Sequence, residues 1–276
     1  MFVFINGKIL PSHEAFISID DLGFHRGYAV TDFFLCIDGV PLYVEQHLNR
    51  FYKSMVAFHL HIPQSKLELQ EIINDLAQRC QQKSMSIKVI ATGGNSKDSY
   101  TPSDTPTLVI IPKIFTPVDT TQPLKLMICD YERDIYAIKS TNYAFGIQQL
   151  PLLKQKGFND LVYQKEGIIS ESSRSNIFIV KNNVLKTSNV GALEGITRAN
   201  ILDEARKLNI KTVESPITVA ELLEADEVFL SSTTRLIHPV TQIDEKQFAI
   251  GVLSLKLQAA LVQRAETYIK NARVLA

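Results

Sequence analysis

Residues 115–123, Phe-Thr-Pro-Val-Asp-Thr-Thr-Gln-Pro, interrupt a chain whose strand and helix signals fade before them and restart after them. A polar stretch with two prolines continues neither a helix nor a central strand. It predicts an interdomain linker over 116–123, between a smaller N-terminal α/β domain (1–115) and a larger C-terminal domain (124–276). With 276 residues, 45% of them hydrophobic, the chain can fill two cores of ordinary size.

Within the first segment, Asn6-Gly7 between FVFI and KIL predicts a hairpin, and Asp38-Gly39 predicts another across Cys36 to Val44. From about Glu45, Leu48, Phe51, Met55 and Phe58 recur at helical steps. Leu69, Ile72, Ile73, Leu76 and Cys80 do so near Lys66 to Gln82. Residues 87–91 and 107–111 read as strands. Beyond the linker come a strand from Leu124 to Cys129 and a helix from Phe145 to Lys156, weakened by Pro151 and ended by Gly157. Two hairpins follow, LVYQ-KEG-IISE and SNIFIV-KNN-VLKT. A helix starts after Gly195-Ile196-Thr197, with Thr197 as its expected N-cap. A short strand at Glu227–Leu230 and a last helix from about Gly251 close the pattern. The fold class is α+β in two lobes, the second on a largely antiparallel or mixed sheet.

Lys+Arg and Asp+Glu both number 29, so no basic nucleic-acid surface or acidic tail is expected. No apolar run is long enough to cross a membrane, and the start lacks a signal-peptide pattern. Three scattered cysteines show no metal-ligand spacing and form no disulfide framework, which fits a reducing cytoplasm.

Three signals beyond the linker carry chemistry. Lys139 stands at the end of the strand-like run Ile135-Tyr136-Ala137-Ile138, where a desolvated amine would be a nucleophile. Glu171 ends the apolar strand Gly167–Ser170. Two hydroxyl-rich turns, Gly195-Ile196-Thr197 and Ser231-Ser-Thr-Thr234, offer donors to a phosphate. Singly, these are a surface lysine, a hairpin acid and ordinary caps. Together they meet the needs of pyridoxal phosphate: an amine for a Schiff base, a carboxylate for the ring nitrogen, and a phosphate cradle.

The order AIKSTNY, ISESSRSNIFIV, LEGITR and FLSSTT resembles the class IV (fold type IV) pyridoxal-phosphate aminotransferases. That family includes D-amino acid and branched-chain aminotransferases and aminodeoxychorismate lyase. FINGKIL, ISIDDLGFHRGYAVTDFF and VEQHLNRFYKSM extend the likeness into the first lobe. The resemblance implies a two-domain fold of the D-amino acid aminotransferase type, a homodimer, and substrates that are small amino acids and 2-keto acids. It implies that Lys139 carries the Schiff base and shuttles a proton between the substrate Cα and the cofactor. Glu171 would bind the ring nitrogen, and Tyr143 the phenolate oxygen. Leu193 would pack on the ring, while Arg50, Ile196, Thr197 and Thr233 reach the phosphate.

The substrate pocket departs from the relatives. Where they carry an aromatic hydroxyl and a clamping arginine, this chain has Thr31 and, on the strand, Ser86-Ile87-Lys88. Arg26 and Lys88 are the expected replacements for the α-carboxylate, with Arg26 the better matched through its planar fork. Arg174 stands where relatives mostly carry a small residue; a surface position is expected for it. The string HRGYAVTDF resembles a divergent group of D-amino acid aminotransferases. Ping-pong transamination of a D-amino acid is therefore the leading expectation. Branched-chain L-amino acid transamination or the lyase reaction are the alternatives.

Overall fold

Asn6 and Gly7 take positive φ angles of 46° and 89°, and the turn they form pairs β1 (Phe2–Ile5) with β2 (Lys8–Pro11) in the antiparallel register Ile5–Lys8. This hairpin opens a computed structural model that describes residues 1–274. Helix α1 (Leu22–Arg26), β3 (Ala29–Ile37), β4 (Val40–Pro41), α2 (Val44–Ala57), α3 (Lys66–Cys80), β5 (Ser84–Thr92) and β6 (Leu108–Ile114) complete the first run. Its six strands form one antiparallel sheet in the order β2-β1-β6-β5-β3-β4. Helix α3 starts at a capping box, in which the Ser65 hydroxyl accepts from the Glu68 N–H and the Glu68 carboxylate accepts from the Ser65 N–H. The apolar faces of α2 and α3 bury Leu48, Phe51, Met55, Leu69, Ile73 and Leu76 against Val30, Phe34 and Cys36 of the sheet.

The second run comprises β7 (Leu124–Asp130), α4 (Ala144–Gln148), α5 (Leu150–Lys156), β8 (Asp160–Lys165), β9 (Ile168–Ser172), β10 (Asn176–Lys181) and β11 (Val184–Thr187). Then come α6 (Ile196–Lys207), β12 (Thr212–Glu214), β13 (Ile217–Thr218), α7 (Val219–Leu223), β14 (Glu227–Ser232), β15 (Leu236–Ile243), β16 (Lys246–Gln247) and α8 (Val252–Val274). Its sheet is mixed. β7 pairs in parallel with β8 and β15, and β11 with β12, while the other pairings are antiparallel. Contacts divide the chain into two units. The first holds Met1–Thr116, Ile138–Asn142 and the end of α8 from Ala265; the second holds Pro117–Ala137 and Tyr143–Arg264.

Three local expectations need correction. The run before Lys139 is not a strand: residues 134–137 form a turn with Ile135 and Tyr136 exposed. Four residues beside Glu132-Arg-Asp134 are too few to bury a face, and the backbone turns instead. The helix expected over 145–156 is two helices that meet at Gln149, with Pro151 in the first turn of α5. Proline belongs there, because its missing N–H is an orphan in any first turn. The N-cap of α6 is Gly195, not Thr197, which lies one residue inside the helix.

Candidate active site

Glu171 is built into the second unit as a buried carboxylate. β9 carries it between β8 and β13, beside a register shift in the β8–β9 ladder, and leaves it 3% exposed. A carboxylate so removed from water must be paired. Its Oε2 accepts the Leu193 N–H at 3.1 Å, and its Oε1 lies 3.2 Å from Arg133 Nε. Arg133 in turn donates through Nη2 to the Ser173 carbonyl at 2.5 Å and stacks its guanidinium 4.7 Å from the Tyr143 ring centroid. Burial works against the Arg133 charge, but Glu171 and then Tyr143 outweigh it and hold the group more firmly protonated than usual. Tyr143, Arg133, Glu171 and Leu193 thus form one connected line.

Two further turns join that line. Asn176 at the start of β10 donates through Nδ2 to the Leu193 carbonyl at 2.7 Å, and β10 pairs with β14 so that Asn176 lies opposite Ser231. The turn at Gly195 packs directly on Asn176: a Cβ there would sit 2.0 Å from Asn176 Oδ1, so only glycine fits. Helix α6 begins at this point, and its N-cap residue Gly195 has no side chain to cap the first N–H groups, those of Ile196 and Thr197 among them. The β14 strand leads into Thr233, half-buried on the turn that follows. The hydroxyl oxygens of Ser172, Ser175 and Ser231 are buried with no hydrogen-bond partner among the described residues.

Lys139 belongs to the first unit. Its carbonyl accepts the Thr31 N–H at 2.8 Å, its N–H donates to Ser54 Oγ at 3.4 Å, and Ser140 bridges Val30, so residues 138–141 lie along β3. The side chain is half-buried, and its charge reaches His47. Arg50, expected at a phosphate, is gripped along its Nε–Nη2 edge by fully buried Asp32, at 2.9 and 2.8 Å. His47 Nδ1 lies 2.7 Å from the same carboxylate. Burial alone would raise the Asp32 pKa. The charge of Arg50 and the hydrogen bonds from His47 and Arg50 overcome it and drive it far below the usual carboxylate range.

The three expected substrate residues also lie in the first unit. Thr31 is buried on β3 and donates its hydroxyl to the Val89 carbonyl at 2.9 Å. Arg26 ends α1 and donates through Nε to the Ser99 carbonyl at 3.0 Å. Lys88 is exposed on β5, opposite Phe33. No hydrogen bond or ion pair joins Arg26 to Lys88 among the described residues. Sequence reasoning missed Asp32, Arg133 and Asn176. The available signals were an acid inside an apolar strand, a charged triplet just after β7, and an asparagine opening a strand of Ile, Phe and Val.

The amino-transferase class IV family model matches residues 29–243. The chain is 30% identical over 268 residues to a D-alanine aminotransferase of Listeria monocytogenes, covering 91% of this chain and 90% of that protein. It is 28% identical over 271 residues to a putative branched-chain-amino-acid aminotransferase of Methanocaldococcus jannaschii, covering 94% of each. Among solved structures, the branched-chain amino acid aminotransferase of Escherichia coli superposes with a TM-score of 0.87 at 25% identity, over 95% of this chain and 92% of that one. A putative 4-amino-4-deoxychorismate lyase of Legionella pneumophila superposes with a TM-score of 0.85 at 23% identity, over 91% and 96%.

Class IV aminotransferases use pyridoxal phosphate. The second unit has features such a group needs: a buried paired carboxylate, a helix N-terminus whose N-cap is a glycine, a turn cleared of side chain at Gly195, and serine hydroxyls with no partner among the described residues. With the family model spanning most of the sequence, the chain belongs to the class IV aminotransferases, pyridoxal-phosphate-dependent enzymes.

Proposed function

We propose that this enzyme transfers the amino group of a small amino acid, with D-amino acids preferred, to a 2-keto acid in a ping-pong cycle. The observation that carries the cofactor reading is Glu171, an acid 3% exposed yet held by a backbone N–H and by Arg133. A charge so expensive to bury is retained where a cationic partner needs it. When bound, pyridoxal phosphate supplies an electron sink for the carbanion at the substrate Cα. Glu171 would accept from the protonated ring nitrogen, and Arg133 holds the Glu171 carboxylate in place. Tyr143, fixed under the Arg133 guanidinium, donates to the ring oxygen. Ile196 and Thr197 N–H groups, the Thr233 hydroxyl and Arg50 would hold the phosphate, and Leu193 would pack on the ring. The Lys139 amine would hold the cofactor and would take the proton from the substrate Cα and return it.

The D-preference is supported by relatives named D-alanine aminotransferase at 27–30% identity over more than nine-tenths of the chain. Arg26 and Lys88 hold the α-carboxylate in this reading, with Thr31 lining the pocket. A homodimer is supported by the exposed Phe16, Ile19 and Phe24, which crowd a large apolar surface into one short segment of the first unit. Its buried free cysteines, Cys36 and Cys80, suit a reducing, cytoplasmic setting.

The test is a half-reaction screen. Purified enzyme is mixed with single L- and D-amino acids while the cofactor absorbance is followed, and borohydride-reduced protein is mapped for a modified lysine. Bleaching by D-alanine and a reduced adduct on Lys139 are expected. Full turnover by Lys139→Ala would overturn the assignment. Release of pyruvate and 4-aminobenzoate from aminodeoxychorismate, without keto-acid formation from any amino acid, would replace transamination with the lyase reaction.

A further inference from the structure

We infer that Arg174 and Arg235, both in the second unit, form an anion subsite that receives the side-chain carboxylate of a dicarboxylic substrate, such as an acidic amino acid or a 2-oxo diacid. This rests on the transaminase reading above.

The two arginines come from separate strand ends that the sheet brings together. The β10–β14 register pairs Asn176 with Ser231, so the residues just beyond, Arg174 and the Thr233–Arg235 turn, lie at the same end of these two interior strands. Asp160 ties them. Its Oδ1 accepts the hydroxyl of Ser173, the neighbour of Arg174, and its Oδ2 lies 3.9 Å from Arg235 Nη1. The Arg174 loop is also held from behind, because Ser173 accepts from Arg133 and the Ser172 N–H donates to the Ser175 carbonyl at 2.8 Å. Arg174 is therefore presented on a fixed turn two residues from the strand that carries Glu171.

The charges do not balance. Arg235 is only 17% exposed, and its guanidinium makes no hydrogen bond among the described residues. Arg174 is exposed and has neither hydrogen bond nor ion pair among them. Among the described residues, Asp160 is the only acid within ion-pairing distance of either guanidinium, and its Oδ2 has no hydrogen-bond partner among them. Five N–H donors per guanidinium favour a planar, bidentate acceptor. Two cations beside one carboxylate leave a single positive charge, matched to one further carboxylate rather than to a dianionic phosphate. The phosphate has its own donors at α6 and Thr233.

The experiment compares the unmodified holoenzyme with Arg174→Ser and Arg174→Lys, using glutamate and alanine of the handedness found in the half-reaction screen. The Arg174→Ser change is expected to lower the ratio of kcat/KM for glutamate over alanine by roughly 10- to 100-fold, the range for losing a charged hydrogen bond. Arg174→Lys is expected to recover part of it, because a point charge replaces the fork. Calorimetric titration with glutarate against butyrate provides a readout without turnover. Glutarate is expected to bind the unmodified holoenzyme more tightly than butyrate, and Arg174→Ser to abolish the difference. An unchanged glutamate-to-alanine ratio, or glutarate binding equal in the variant, overturns the subsite, as does a weakened cofactor affinity with no change in that ratio. If no amino acid bleaches the unmodified enzyme, the transaminase reading fails, and the glutarate titration still decides whether the arginines hold a dicarboxylate.

Discussion

Replacing Asp32 with asparagine removes one charge from the centre of the first unit and takes a carboxylate away from both Arg50 and His47. Asp32 is fully buried and accepts from Arg50 at 2.9 and 2.8 Å and from the Phe33 N–H at 2.7 Å, with His47 Nδ1 also 2.7 Å away. In the variant, the amide Nδ2 meets Arg50 donor to donor, and the Arg50 side chain, 11% exposed, loses the carboxylate that grips its Nε–Nη2 edge. Removing one partner of a buried ion pair costs about 3–5 kcal/mol, mostly the penalty of the charge left behind. The assay is urea unfolding followed by circular dichroism on cofactor-free protein, so that any part Arg50 plays in holding a ligand stays out of the measurement. Adding Arg50→Met to Asp32→Asn removes the guanidinium that faced the lost carboxylate. The double variant is therefore expected to be less destabilised than the sum of the singles by ~1 kcal/mol or more. A loss below ~1 kcal/mol in Asp32→Asn, or strict additivity in the pair, would refute this account of the cluster.

Three further outcomes follow from other parts of the molecule. Glu171→Gln keeps shape but not charge, and it is expected to lower kcat by ~100-fold or more with cofactor still bound; a loss under about threefold in steady-state kinetics would contradict its role. Gly195→Ala drives a Cβ into Asn176 Oδ1, so a destabilisation of about 1–3 kcal/mol is expected in thermal unfolding, together with weaker cofactor binding in a fluorescence titration. Acid is expected to unfold the first unit in two stages. Burial lowers the His47 pKa below 6.5 despite Asp32, with Arg50 and Lys139 adding to the shift, so the folded form binds fewer protons and stability falls as pH drops through about 6.5. The depressed Asp32 pKa contributes stability that is complete above the unfolded carboxylate value and is lost as pH falls below about 4. His47→Gln should erase the first stage and leave the second, as read from urea midpoints across pH.

The local elements were legible where short-range physics decides them. The positive φ at Asn6, Gly7, Asp38 and Gly39 follows from residue types that tolerate it, and the apolar spacing of α2 and α3 marks the faces they bury. Gly157 ends α5 in the left-handed region, as expected of a glycine after a helix. The run before Lys139 misled because hydrophobicity over four residues cannot tell a strand from a turn. That choice was made by residues 138–141, which take the hydrogen bonds along β3 and leave Ile135 and Tyr136 outside.

From the sequence alone came the order of most hairpins and helices, the expectation of two lobes, and the expectation that the lysine, the glutamate and the hydroxyl turns carry the chemistry. Only the folded chain decided their partners: Asp32 for Arg50 across 18 residues, Arg133 for Glu171 across 38, and Asn176 beneath Gly195. The reason is range. Turn and helix preferences act over a few residues and are written in each segment, whereas a buried charge finds its counter-ion through strand register and helix packing that no short stretch encodes.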